Sequence, residues 1–190
     1  IEKVDYIIIG GAMANTFLLA KGHKVGRSLV EESLKPTALK ILNKAEKYSC
    51  KVILPTDLII AKELSENTPT SVVLADECPE NYMILDAGPS TVDNIKQCIN
   101  SAKTLLWNGP LGVSENPYFG TGTQQVCRII EELTNNGVIS ILGGGDTASA
   151  ARKFSQSNKF THISTGGGAS LELLSGIDLP AVKVLEKNEK

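Results

Sequence analysis

The sequence predicts an α/β fold built on a mostly parallel six-stranded sheet with helices on both faces. Three observations predict it. Short β-branched runs alternate with longer amphipathic stretches, which is the pattern of βα units around a parallel sheet. Three strand-like runs end directly in glycine clusters, and a helical pattern follows each of them. The 190 residues are 42% hydrophobic and 21% charged, enough apolar material for one sizeable core and without the signature of disorder.

Taken in order, the first strand is expected at 4–9 (VDYIII), followed by helical patterns at 12–21 and 29–48 and a strand at 51–54 (KVIL). Between 55 and 90, Pro69, Pro79 and Pro89 interrupt any long element, so short strands and loops are expected there, with one strand at 71–74 (SVVL). A helix at 90–101 leads to a strand at 104–107 (TLLW). The helix at 121–135 has the clearest periodicity. Val126, Ile129, Ile130 and Leu133 recur at helical spacing while Gln125, Glu131 and Glu132 face away, and Asn135-Asn136-Gly137 is a stop signal. A strand at 138–142 (VISIL), a helix at 147–156, a strand at 161–164 (THIS) and a helix at 168–175 complete the pattern. From Lys183 to Lys190 the chain turns polar and charged.

The composition excludes several function classes. A net charge of −2 without a basic stripe argues against a nucleic-acid-binding or membrane-surface domain. The longest apolar runs, Tyr6 to Ile9 and Leu58 to Ala61, are far shorter than the roughly 20 residues a membrane span needs. Cys50, Cys78, Cys98 and Cys127 form no CxxC pair and have no flanking histidines, so they read as reduced structural thiols, which suits the cytosol. His23 and His162 are equally isolated and read as surface or capping residues. The chain begins at Ile1 and runs almost at once into a strand, which reads as a cut through a larger protein.

The chemistry is concentrated at the glycine clusters. Ile9 runs into Gly10-Gly11, Leu142 into Gly143-Gly144-Gly145, and Thr165 into Gly166-Gly167-Gly168. In a parallel sheet all three turns lie at the carboxyl edge, where open α/β folds bind ligands. Glycine permits close backbone approach, and a helix N-terminus offers free N–H groups to an anion, so three such loops form a polyphosphate cradle. Gly143, Gly145 and Ala148 formally fit a dinucleotide fingerprint, but the acidic residue it requires about 20 positions later is not there. No GK[ST] occurs, which excludes a Walker A loop. Asp146, directly after the third glycine, suits a Mg²⁺ bridging to phosphates, and it suits a helix N-cap equally well. A fourth loop, Leu106 to Glu115, follows another strand. There Asn108 offers an amide and Glu115 a carboxylate for ribose hydroxyls or simply for solvent, while Trp107 reads as core.

The strings IIIGGAMANTFL (7–18), DAGPSTV (86–92), LLWNGPLGVSE (105–115), GGGDTASA (143–150) and STGGGASLELLSG (164–176) closely resemble the C-terminal domain of phosphoglycerate kinases, in the same order and over nearly the whole chain. LWNGPxG, GGGDT and STGGGASLE together are highly specific. The resemblance implies a Rossmann-like three-layer sandwich that binds ATP or ADP with Mg²⁺. It implies a cytoplasmic, monomeric glycolytic enzyme moving a phosphoryl group between 1,3-bisphosphoglycerate and ADP, giving 3-phosphoglycerate and ATP. The nucleotide-binding C-terminal domain would span 1–178 without its first strand and helix, and 179–190 would be a polar tail leading back to an N-terminal domain that binds the phosphoglycerate.

Carried over by position, the resemblance places Gly10 and Gly11 in the adenine pocket beside Gly88, with Leu85 nearby and Pro110 and Val113 flanking base and ribose. Glu115 would bind the ribose hydroxyls. Asn108 would reach the phosphate chain, Asp146 would bind the nucleotide's Mg²⁺, and Thr147 with Gly144 and Gly145 would contact the phosphates. Gly166, Gly167 and Gly168, together with Gly144, would be the catalytic backbone that donates N–H groups to the transferring phosphoryl group. Ser114 stands where the family usually has an aromatic residue, a departure expected to loosen the packing around Glu115. No Lys or Arg lies within a glycine loop, and Lys21, Lys24, Arg27, Arg152 and Lys153 read as solvated helix charges. The chain alone is therefore expected to bind nucleotide without turning it over.

Overall fold

The computed structural model describes residues 1–155, 159–164 and 166–187, so Thr165 and the last residue of the helix expected at 147–156 lie outside the described residues, as do 188–190. The chain opens with strand β1 (Tyr6–Ile8) and helix α1 (Gly11–Ala20), then passes through a 3-10 turn at Glu32–Leu34 into α2 (Lys35–Lys47) and β2 (Lys51–Ile53). The helix expected from residue 29 starts six residues later. Pro36 is the reason: inside a helix it would remove a hydrogen bond, whereas in the first turn its missing N–H costs nothing.

Three strands follow in the stretch where only short elements were expected: β3 (Asp57–Ala61), β4 (Ser71–Leu74) and β5 (Met83–Ala87). The rest alternates as expected through α3 (Pro89–Ile99), β6 (Thr104–Asn108), α4 (Thr121–Asn135), β7 (Ile139–Gly143), α5 (Gly145–Phe154), β8 (His162–Ser164) and α6 (Gly167–Leu174). The polar tail is not featureless, because Pro180–Lys187 forms a further helix, α7. Among the described residues no helix is long and apolar enough to cross a membrane.

The expected single six-stranded sheet does not form. The described strands divide into a parallel pair β1-β2, an antiparallel sheet β4-β3-β5 and a parallel sheet β6-β7-β8. Connection length explains which neighbours pair parallel and which antiparallel. Parallel pairing needs a crossover of a dozen or more residues, and α1 with α2, α4, and α5 supply crossovers within the two parallel sheets. The links from β3 to β4 and from β4 to β5 carry no helix and are too short for one, so these strands pair antiparallel.

The main core joins α3, α4 and α5 to one face of the β6-β7-β8 sheet, through Val92, Ile95, Val126, Ile130, Trp107 and Leu142. Ile8 of β1 packs against the same group and holds the first parallel pair beside this sheet. On the opposite sheet face Leu106 and Ile139 remain 45% and 48% exposed, so the described residues do not close the three-layer sandwich over it. Glu131, expected to face away from the core, is 5% exposed and accepts a hydrogen bond from Ser155 Oγ at 2.7 Å. The cysteines are free as expected, and burial pushes the Cys127 thiol up to about 12.

The antiparallel sheet supports the second half of the chain by capping two helices. Gly88 and Gly120 precede α3 and α4 and offer no side-chain cap. Asp57 of β3 accepts instead from the amides of Ser90 (3.0 Å) and Thr91 (2.7 Å), and Asp86 of β5 accepts from the amide of Gly122 at 2.8 Å. Each carboxylate meets the positive end of a helix from outside its own segment.

Candidate functional site

The carboxyl ends of β6, β7 and β8 are level, since Asn108 pairs with Gly143 and Gly143 with Ser164. α5 and α6 start immediately beyond this edge. Gly144 has φ +95° and donates its amide to Ser164 O at 3.0 Å. A Cβ on Gly167 would lie 2.7 Å from Gly144 Cα, so only glycine lets the two helix starts approach this closely. The first intrahelical bonds run from Ala148 to Gly144 and from Ser170 to Gly166. The amides of Gly145, Asp146 and Thr147, and of Gly167, Gly168 and Ala169, are therefore without helical partners. Two positive helix ends stand side by side, an arrangement suited to a multiply charged anion.

The loop after β6 is clamped against this edge. Thr147 is fully buried, and its Oγ1 accepts from the Gly109 amide at 2.7 Å; the side chain assigned to phosphate thus fixes the loop, leaving its backbone amide for a ligand. Trp107 Nε1 donates to Gly109 O at 2.7 Å, Thr123 Oγ1 accepts from Leu111 at 3.1 Å, and the Val113 amide donates to Leu85 O at 2.9 Å. Gly112 rests on Asp86: a Cβ there would meet Oδ1 at 2.3 Å. Burial pushes the Asp86 carboxyl up to about 7, against the opposing pull of the Gly122, Ala87 and Thr121 amides. For Asp57 the balance is reversed, because burial raises its pKa but the bonds from Thr91 and Ser90 together hold it below the ordinary carboxylate value.

The first glycine loop joins the others although its strand belongs to a different sheet. Gly11 donates its amide to Leu111 O at 3.0 Å, and Gly10 packs against the Leu111 side chain. Pro110 is half-buried, Asn108 is exposed, and the Asn108 amide lies over Gly143 and Gly144. Leu85 and Gly88 stand behind the loop. Leu85 is buried with Phe119 and Ala61, against which Val113 packs, and Gly88 is buried against the Asp57 carboxylate.

Glu115 and Asp146 line one cavity of about 260 Å³ together with Ser114, Ser149, Ala150 and Lys153. Lys153 is exposed, as expected of a solvated helix charge, but it is also bonded to the loop. Its Nζ donates to Ser114 O at 2.7 Å and to Glu115 O at 3.2 Å. The signal for it is present in the sequence, because Asp146, Ser149, Ala150 and Lys153 follow an i, i+3, i+4, i+7 spacing that sets them on one face of α5. Ser114 is buried, at 5% exposed, whereas Glu115 beside it is exposed. The described residues hold no cluster of three potential metal-ligating side chains. A lone exposed Asp146 in the first turn of α5 fits Mg²⁺ shared with a ligand's phosphates and water rather than a caged ion. A larger cavity of about 600 Å³, lined by Leu18, Lys21, His23 and Val52, contains no glycine-loop residue.

The family model for phosphoglycerate kinase matches residues 1–177. The chain is 46% identical over 186 residues to the phosphoglycerate kinase of Ruegeria pomeroyi, covering 97% of this chain and 47% of that protein. It is 49% identical over 187 residues to that of a Jannaschia species, covering 98% and 47%. Among solved structures it superimposes on phosphoglycerate kinase from Coxiella burnetii with a TM-score of 0.90 at 40% identity, covering 97% of this chain and 47% of that one. The enzyme from Pyrococcus horikoshii gives 0.76 at 29%, covering 97% and 46%. The chain spans about half the length of the relatives it matches.

Proposed function

The chain belongs to the phosphoglycerate kinase family, and from that membership we propose that it is the C-terminal, nucleotide-binding half of a cytoplasmic, monomeric enzyme of that activity. The reaction is reversible phosphoryl transfer between 1,3-bisphosphoglycerate and ADP, giving 3-phosphoglycerate and ATP. One observation carries the nucleotide assignment: the starts of α5 and α6 meet at Gly144 and Gly167, beside a cavity whose lining includes both Asp146 and Glu115.

Phosphoryl transfer is a problem of positioning and charge stabilisation, and this edge is arranged for both. The free amides of Gly145 to Thr147 bind the phosphate chain. Those of Gly167 and Gly168 face the transferring group, whereas the amides of Gly144 and Gly166, expected to donate to it as well, are taken up by Ser164 O at 3.0 Å and Ser164 Oγ at 3.2 Å. Asn108 reaches over the same glycines, Glu115 accepts from ribose hydroxyls, and Pro110 and Val113 flank base and ribose near Gly10 and Gly11. Mg²⁺ held by Asp146 and the phosphates supplies charge neutralisation when bound.

Calorimetric titration of the 190-residue chain tests this. Mg-ADP is expected to bind, NAD is expected to give no heat, and Asp146→Asn is expected to remain folded while losing most of the gain in ADP affinity that Mg²⁺ confers. Equal Mg-ADP affinity in the variant would remove the metal role from Asp146. A second reading, a nucleotide-binding module without catalysis, is favoured by the absence of any Lys or Arg within the glycine loops.

A further inference from the structure

We propose that Lys153 is a positioning residue for the nucleotide: it locks the Ser114-Glu115 backbone onto α5 and so sets the place of the Glu115 carboxylate relative to Asp146. This rests on the nucleotide reading above and adds to it a residue outside every glycine loop.

The loop itself is poorly tied. Its internal bonds run from the amides of Ser114 to Gly112 O, Asn116 to Val113 O and Phe119 to Asn116 O, with the Tyr118 amide on Asn116 Oδ1. Val113 is joined to Leu85, but beyond it, among the described residues, the hydrogen bonds from Ser114 and Glu115 to another element are the two from Lys153. A charged donor shared by two carbonyl oxygens makes a stronger hydrogen bond than a neutral pair does.

The same turn of α5 holds the loop a second time. The tip of the Phe154 ring lies 3.2 Å from where a Cβ on Gly120 would stand, and Ser114 Cα is equally near that point. Lys153 Nζ is 5.0 Å from the centre of the Phe154 ring. The ammonium is bonded to the loop backbone, while Asp146, seven residues earlier on the same helix face, lines the same cavity. Ribose carboxylate and metal carboxylate are held at a fixed separation by one helix and one lysine.

The test separates ribose positioning from plain electrostatics by using two ligands. Lys153→Met keeps the apolar stem and removes the donor; Lys153→Arg keeps a donor. Lys153→Met is expected to weaken Mg-ADP on the order of ten-fold while changing Mg-tripolyphosphate, which has no ribose, by less than about two-fold. Lys153→Arg is expected to recover most of the loss. Combining Lys153→Met with Glu115→Gln should cost little more than Glu115→Gln alone, since both act on one contact. Without any ligand, amide exchange at 113–116 should quicken in Lys153→Met while that of α4 stays unchanged. Equal Mg-ADP affinity in Lys153→Met, or a matching loss for tripolyphosphate, would overturn the proposal. A parent that binds neither ligand would overturn the nucleotide reading itself, and unchanged exchange at 113–116 would overturn the anchoring whatever the ligand result.

Discussion

Thr147 shows how a residue can matter to a site through the wall it builds. Its hydroxyl is fully buried and accepts the Gly109 amide at 2.7 Å, which joins the start of α5 to the loop after β6. Thr147→Val keeps shape and removes the acceptor, so the Gly109 amide is left unpaired. We predict a loss of about 1–3 kcal/mol in urea-unfolding stability together with weaker Mg-ADP binding; a variant as stable as the parent would show that the bond contributes nothing. The sequence offers it as a candidate site residue, but the bond it makes is not legible there, because partners 38 positions apart are invisible without the fold. Lys153 escapes a sequence reading for a related reason. Its distance along the chain from the glycines suggests solvent, although the helical period already sets it on the face of Asp146.

The elements are legible wherever their pattern is local. Strand 104–108, helix 121–135 and strand 139–143 emerge within a residue or so of expectation, since β-branched runs and 3.6-residue periodicity need no partner to be recognised. β3 and β5 are not, because Leu58, Ile60 and Leu85 sit among prolines and loops that hide a two-residue alternation. Their contribution is larger than their length, for Asp57 and Asp86 supply the caps that the glycine N-caps of α3 and α4 lack. Asp86 also makes a pH signature. Its folded pKa is raised to about 7 from an unfolded value of 3.8, so its stabilising contribution is full below about pH 4 and is lost as pH rises through about 7. Asp86→Asn removes this ionisation while retaining an acceptor oxygen. The parent should therefore lose stability relative to Asp86→Asn between about pH 4 and pH 7 and run parallel to it above that, read by thermal unfolding from about pH 4 to pH 8. Profiles parallel over the whole range would contradict a strained carboxylate beneath Gly112.

At the scale of the whole molecule, the fold class and the gathering of glycine loops at one edge are legible, and the division into three sheets is not. Strand pairing is decided by connection length and by packing between distant elements. The glycine loops converge because α1, α5 and α6 all begin at the edge where the loop after β6 is clamped, with Gly11 bonded to Leu111 and Gly167 against Gly144. On the proposed reading the amides and carboxylates at that edge bind and orient a nucleotide, but the loops carry no arginine or lysine to neutralise a migrating phosphoryl group, and cations of that kind are worth about 10³-fold or more in rate. We expect the 190-residue chain, given Mg-ATP and 3-phosphoglycerate, to show no turnover in a coupled assay. Turnover that survives rigorous repurification would show that cations within these residues complete the site.

The central claim is that one sheet edge forms the nucleotide site, and amide chemical-shift mapping addresses it directly. When Mg-ADP is titrated into ¹⁵N-labelled chain, the largest shifts are predicted at Gly144 to Thr147, at Gly166 to Gly168 and at Ser114 and Glu115. Shifts confined to the residues around the larger cavity, Leu18, Lys21, His23 and Val52, or no shifts at all, would contradict it.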